Sequence, residues 1–292
     1  MYKAGLFLMG KKGLECLESI VRWKQQSGQR FFVVAGRDKA IANDYFEDLR
    51  TLANASDITF IERTEATEIP SAEVYFAIGW RWLIKTQMDK LIVFHDSLLP
   101  KYRGFNPLVT ALIEGDAEIG VTAIKADREF DKGDVIDSRK VTVTYPIKIE
   151  RAIDAVSLLY ADLISDILSR LTAQGIEAKP QDENLATYSL WRDEQDYRVN
   201  WNESSERISR TIDAVGYPYN GAVTYIGGEK ITIHESEIVQ DITIVNRAPG
   251  KILMIEDSHP IVVCGSGLLK ILHATDENGQ KYMFNKLRVR LN

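Results

Sequence analysis

The sequence predicts an α/β fold: a doubly wound parallel sheet followed by a smaller C-terminal β-barrel. Three observations predict it. Short continuous apolar runs alternate with amphipathic helical stretches through the first half of the chain, the pattern of strands covered on both faces. A long stretch of helical periodicity, residues 150–171, then ends the alternation. Past a polar stretch the chain turns to short strands broken by glycine turns, the texture of a small barrel or open sandwich.

Each element follows in order. Residues 2–9 are an apolar run and read as the first strand. Residues 13–26 carry Leu14, Leu17, Ile20, Val21 and Trp23 near helical spacing. Residues 31–35 are a second strand ending at Gly36, and residues 39–52 are helical in character. Further strands are expected at 58–61, 74–78, 91–94, 121–125 and 134–143. In residues 150–171, Ile153, Val156, Leu159, Leu163 and Ile167 make one apolar face. Residues 172–187, with Gly175, Pro180 and Asp182-Glu183-Asn184, read as a linker. A helix at 203–215 follows, then strands at 221–225, 230–235, 249–255, 261–263 and 268–273. The expected domains are therefore residues 1–185 and 186–292, a division that suits a chain of this length.

Composition narrows the function. Hydrophobic residues are 45% and charged residues 27%, which excludes disordered, collagen-like and disulfide-scaffold chains. Lys+Arg is 36 against 42 Asp+Glu, a net charge of −6, so a strongly basic nucleic-acid binder is disfavoured. Cys16 and Cys264 stand far apart and form no disulfide framework. No segment approaches the ~18 apolar residues of a membrane helix. The apolar N-terminus soon meets Lys11-Lys12 and reads as a strand rather than a signal peptide. The expectation is a soluble, cytoplasmic protein.

The stretch that carries chemistry is residues 91–137. The strand Leu91-Ile92-Val93-Phe94 runs straight into His95, and open parallel sheets bind ligands at the carboxyl ends of their strands. Downstream, Asp131-Lys132-Gly133 presents a carboxylate at a glycine turn. Taken singly, His95 reads equally as a buried structural histidine, and Asp131 reads more readily as turn chemistry.

The pattern His95, Ser97-Leu98-Leu99-Pro100, Arg103-Gly104, Pro107, Gly120-Val121-Thr122 and Asp131-x-Gly133 resembles the folate-dependent formyltransferase family. The likeness continues through Trp191-Arg192, Asp196, Trp201, Pro218-x-x-Gly221-Ala222, Ala248-Pro249-Gly250 and Cys264-Gly265-x-Gly267-x-Leu269. It implies a Rossmann-like catalytic domain, an OB-like barrel, a homodimer, and transfer of a formyl group from 10-formyltetrahydrofolate to an amine. His95 would accept the amine proton or, when charged, donate to the oxyanion, and a carboxylate such as Asp131 favours the charged ring. For the folate, the resemblance implies Trp82, Leu83 and Ile84 on one side, Asp127, Arg128, Glu129, Phe130 and Asp131 on the other, and Ser97, Leu98, Leu99 and Pro100 as the floor. Trp80 and Trp82 read equally as packing beneath the sheet. No metal is implied: His234, His259 and His273 lack ligand spacing.

One position departs from the family. Its asparagine, which stabilises the oxyanion, is here Val93. Three explanations stand: Asn106 supplies an amide from another direction, His95 and backbone N–H groups suffice, or the chain binds folate without catalysing.

Three acceptors are open to the family. The purine-ribotide enzyme lacks this C-terminal domain and carries Gly-Ser-Asn where this chain has Gly10-Lys11-Lys12. The methionyl-tRNA enzyme carries a basic insertion after its second strand, and residues 36–42 show none. The sugar-nucleotide N-formyltransferases match in build. There an aromatic platform would take the base and Arg or Lys the diphosphate, with Lys101, Arg103, Tyr188, Trp191 and Arg192 as candidates. A hydrolase releasing formate is a further alternative.

Overall fold

A computed structural model describes residues 2–173 and 175–292. Met1 and Gln174, the latter within the expected linker, lie outside the described residues. The chain forms two compact units. The first is Met1–Leu108, Ala117–Val143 and Arg151–Leu190; the second is Val109–Asp116, Thr144–Glu150 and Trp191–Asn292.

The elements before residue 190 are β1 (Tyr2–Leu8), α1 (Gly10–Ser27), β2 (Phe31–Ala35), α2 (Phe46–Ala55), β3 (Thr59–Glu62), β4 (Ala72–Ile78), β5 (Leu91–His95), β6 (Arg103–Gly104), α3 (Pro107–Glu114), β7 (Glu118–Lys125), β8 (Val135–Thr142), α4 (Ile149–Ala173) and β9 (Tyr188–Ser189). The main sheet has the order β3-β2-β1-β4-β5-β7-β8. Strands β1 to β5 pair in parallel. The chain winds outward from β1 to β3, then returns to β4 on the other side of β1, so the topological switch lies between β1 and β4.

The strands are apolar runs because both sheet faces are covered. All five residues of β2 are buried, and so is β1 from Ala4 onward. Phe7, Phe32, Val34, Ala72 and Tyr75 form one core cluster. Helix α4 buries Val156, Tyr160, Leu163, Ile164, Ile167 and Leu168, and Tyr160 meets Phe94 of β5 at 5.5 Å between ring centroids.

Three local expectations are corrected. Strand β7 runs antiparallel to β5, and β8 antiparallel to β7, since the β7–β8 hairpin connection joins only antiparallel neighbours. The helix expected at 39–52 begins at Phe46. Before it, Asp38, Asn43 and Asp44 side chains accept the N–H groups of Ala40, Tyr45 and Phe46, local bonds that compete with a helix. The stretch expected as a linker is bonded to the first unit: Lys179 bridges Val135, and β9 pairs with β6.

The second unit holds α5 (Ser205–Ala214), β10 (Ala222–Ile226), β11 (Glu229–Val239), β12 (Ile252–Glu256), β13 (His259–Val263) and β14 (Leu268–Asp276). Helix α5 starts where the Ser204 side chain accepts the Arg207 N–H at 3.2 Å, and it buries Ile208 and Ile212. The antiparallel sheet runs β10-β11-β14-β13-β12. The last residues bridge its two edges: Asn292 exchanges backbone hydrogen bonds with Tyr225, and Leu291 donates to Gly250. That closes the sheet toward a barrel. Among the described residues, no helix is long and apolar enough to cross a membrane, and no group of three metal-ligating side chains occurs.

Candidate active site

His95 ends β5 and is 7% exposed. Its Nε2 lies 2.8 Å from the carbonyl oxygen of Tyr102, which only accepts, so Nε2 carries a proton. Its Nδ1 lies 3.3 Å from Asp131 Oδ1. The ring thus stands between two acceptors and satisfies both when it carries two protons.

Asp131 is placed by the turn that joins β7 to β8. It adopts a left-handed φ of 60°, a strained choice for a side-chain-bearing residue. Gly133 is required beside it, because a Cβ there would come 1.7 Å from the Lys125 carbonyl. The second carboxylate oxygen, Oδ2, accepts the Gly104 N–H at 2.8 Å. One short loop therefore contacts both members of the pair, through the Tyr102 carbonyl and the Gly104 amide. Gly104 is at φ 101°, and a Cβ would meet the Ser189 carbonyl at 2.5 Å.

Ser97 to Lys101, the segment expected beneath the folate, is a hydrogen-bonded turn. Ser97 Oγ donates to the Lys101 carbonyl at 2.5 Å. Thr122 of β7 donates to the Ser97 carbonyl at 2.7 Å and accepts the Leu99 N–H at 3.0 Å. Leu98, Leu99 and Pro100 are half-buried. Val93 lies two residues before His95 on β5, in register with Ala77 and Ile124. Asn106 is exposed at φ 49°, just before α3.

The expected folate segments differ in character. Trp82 packs over Gly36, between the Arg63 and Arg81 guanidinium groups at 4.2 and 5.1 Å, and meets Trp80 edge-on. Packing accounts for its ring. Ile84 joins the core cluster. Leu83 is 83% exposed, and so is Phe130 at 84%. Asp127 caps its own loop by accepting the Glu129 N–H at 3.0 Å, Glu129 pairs with Lys132, and Arg128 is exposed.

The expected acceptor residues separate. Arg103 is not a free phosphate ligand: it is 1% exposed, bonded to Gln181 Oε1 through Nε and Nη2 and to both Glu183 oxygens. The Glu183 hydrogen bond, against the cost of burial and aided by Tyr188, holds it above its ordinary range. Lys101 is exposed and lies over the Tyr102 ring. Tyr188 keeps an exposed ring while its backbone pairs with Arg103. In the second unit, Trp191 is exposed. Arg192 lines a cavity of about 120 Å³ with Arg198 and Arg207, whose other walls include Asp196 and Glu203. Arg207 is taken by Glu114 and Glu203. The Arg192 Nε is buried with no hydrogen-bond partner.

Other groups lay outside sequence reasoning. Asp96, next to His95, binds Lys12 of α1 and Tyr160 of α4. Burial pushes the Asp96 carboxyl up, but the Lys12 charge and hydrogen bond, with the Tyr160 hydroxyl, reverse this and hold it low. Burial and then Asp96 push Tyr160 well up. Gln181 and Glu183 were also missed, and no local pattern marks them. His234 and His273 meet at 5.0 Å between centroids, a contact across the β11–β14 pairing that spacing does not reveal.

The formyl transferase family model matches residues 72–159, and the model of the formyl transferase C-terminal domain matches residues 192–287. The methionyl-tRNA formyltransferase of Streptococcus sanguinis is 30% identical over 220 residues, 75% of this chain and 68% of that one. An N-formyltransferase from Helicobacter canadensis, solved with folinic acid and dTDP-3-aminofucose, has a TM-score of 0.72 at 19% identity, covering 97% of this chain and 100% of that one. WlaRD, a sugar 3N-formyl transferase solved in the presence of dTDP and 5-N-formyl-THF, has a TM-score of 0.67 at 19% identity, covering 98% and 99%. The shapes agree with the predicted fold. Both halves are matched in chain order, and a relative is 30% identical across two thirds of its own length: the chain belongs to the formyltransferase family.

Proposed function

We propose that this protein moves a formyl group from 10-formyltetrahydrofolate to the amine of a nucleotide-linked amino-dideoxy sugar. The observation that carries the reading is the pairing of buried His95, at the end of β5, with the partly buried Asp131 of the β7–β8 turn. The folate fits the residues around it. Leu83 and Phe130 leave large apolar side chains uncovered, and the Trp80 Nε1 is buried without a partner in the same loop as Leu83. Residues 82–84 and 127–130, with the floor at 97–100, would hold the donor. When bound, it supplies the formyl carbon.

The chain's own residues handle the proton. The acceptor amine forms a bond to the formyl carbon and sheds a proton, while that carbon's bond to the donor nitrogen breaks and the donor nitrogen takes up a proton. His95 gives its Nε2 proton, released from the Tyr102 carbonyl, to the departing donor nitrogen and takes the amine's proton in its place, while Asp131 balances the charged ring at Nδ1. Asn106 turns its side-chain amide toward the developing negative charge in place of the amide lost at Val93. Asn106→Ala should then lower turnover by about 10²–10³-fold; an unchanged steady-state rate rejects that role.

Two features support a nucleotide sugar over tRNA. The two sugar-enzyme structures match this chain end to end, whereas the chain covers 68% of the tRNA enzyme. The loop after β2 offers no free arginine: Arg37 pairs with Glu47, and Asp38 is paired with Arg81. In the second unit, Arg192, whose Nε is buried without a partner, suits a phosphoryl oxygen, which either acceptor presents, and Trp191 remains a candidate. Lys101 and Tyr188 remain candidates on the first unit. A homodimer and a cytoplasmic location accompany this reading.

The test is a formyl-transfer assay against UDP-, dTDP- and GDP-linked amino sugars, read by mass shift. One sugar should gain a formyl group, with a raised KM for it in Arg192→Gln. Formylation of charged initiator tRNA instead would establish the tRNA reading, which the 30% identity to methionyl-tRNA formyltransferases favours. Formate release without an amine would indicate a hydrolase. Folate binding with no turnover on any acceptor would mark a non-catalytic relative.

A further inference from the structure

We propose that Gln181 is a positioning residue that sets the geometry of the His95–Asp131 pair, with Arg103 as its clamp. This rests on the formyl-transfer reading of that pair. The Gln181 Nε2 donates to two carbonyls, those of Asp131 and Gly133, each at 2.8 Å. These bracket the turn that holds Asp131 in its left-handed conformation. On its other side, Gln181 Oε1 accepts from Arg103 Nε at 3.1 Å and Nη2 at 2.8 Å. The orientation of this amide is decided by its neighbours, because carbonyls only accept and a guanidinium only donates.

The bonds close into a ring. His95 meets the Tyr102 carbonyl, Tyr102 precedes Arg103 in the chain, Arg103 holds Gln181, Gln181 holds Asp131, and Asp131 returns to His95. Gly104, the residue after Arg103, ties the same loop to Asp131 Oδ2. Glu183 fixes the far side of Arg103 at 2.7 and 2.9 Å. Residues 179–189 thus form a strap rather than a tether. Thr187 adds to it by accepting the Arg103 N–H on its carbonyl and the Tyr102 N–H on its hydroxyl. The position needs two donors on one side and an acceptor on the other. Only a side-chain amide of this length supplies both, so the role is specific to glutamine and is not a generic packing role.

Two variants test it. Gln181→Met keeps the volume and removes every bond. Gln181→Glu keeps the acceptor for Arg103, and with it the strap, but sets acceptors against two carbonyls. The loosened carboxylate should lower kcat by about 10²-fold in both, as a misplacement of about 1 Å can do. KM for donor and acceptor should stay within about threefold, since both ends of the Gln181 amide are taken by Arg103, Asp131 and Gly133. The ¹⁵N shifts of the His95 imidazole, read by NMR in the free protein, should move in both variants. Wild-type kcat with unmoved shifts in Gln181→Glu overturns the proposal. So does a loss confined to KM, which would make Gln181 a substrate ligand. The NMR arm reads without any acceptor, so shifts that move while no amine is formylated would leave the positioning role standing and remove the functional reading instead.

Discussion

Replacing His95 with alanine will lower formyl transfer by about 10²–10⁴-fold, the range that positioned proton transfer is worth. The fall should appear in kcat more than in KM for the folate, because the proposed donor contacts are residues 82–84, 97–100 and 127–130 rather than the imidazole. Asp131→Asn should fall in the same range by a different route. The asparagine amide keeps an acceptor for the Gly104 N–H but no longer balances a charged ring across the 3.3 Å contact. Both variants should still bind a folate analogue by isothermal titration. A His95→Ala enzyme within threefold of the wild-type rate would remove the ring from the reaction and restore the reading of His95 as a structural core residue.

Replacing Lys12 with methionine will destabilise the protein by about 3 kcal/mol, the cost of leaving a buried carboxylate without its cation. The side chains of Lys12 and Asp96 are 14% and 19% exposed, so solvent offers little compensation. Lys12 also sits in the first turn of α1, where the helix dipole disfavours a cation; the Asp96 contact is what holds it there. Removing both charges, as Lys12→Met with Asp96→Ala, should recover part of the loss. The sign with pH follows from the lowered Asp96 carboxyl. Its contribution is present above the unfolded carboxylate value of about 3.9 and is lost as pH falls through the lower folded value. Urea midpoints between pH 3 and pH 7 measure this. A Lys12→Met midpoint equal to wild type across that range would show that the pair contributes nothing to the fold.

The two cases differ in how far the sequence reveals them. His95 stood out as a candidate because it follows an apolar strand directly, where open parallel sheets bind ligands, and because it opens the family pattern. Asp131 was legible through its Asp-x-Gly turn and its place in the family pattern. Lys12, Asp96 and Tyr160 were not, since they lie on α1, after β5 and on α4, and only packing brings them together. Arg103 shows the opposite error. A basic residue in a loop reads as a phosphate ligand, but its burial beside Gln181 and Glu183 commits the guanidinium to the fold. The polar residues 172–187 read as a linker because turn-forming residues dominate there. Within them, Lys179, Gln181, Glu183 and Thr187 find long-range partners that no local pattern encodes.

By itself the sequence determined the α/β class, the order of its strands and helices along the chain, and the His95, Ser97–Pro100 and Asp131 positions. The class and the element order follow from hydrophobic periodicity and turn chemistry, which are local in the chain; the His95, Ser97–Pro100 and Asp131 positions came from the resemblance to the formyltransferase pattern. The tertiary structure alone decided which strands pair, the antiparallel turn of β7 and β8, the closure of the second sheet by its last residues, and the hydrogen-bond ring through Gln181. Those depend on contacts between residues far apart in sequence, where a donor is specified only once folding has brought its acceptor within about 3 Å.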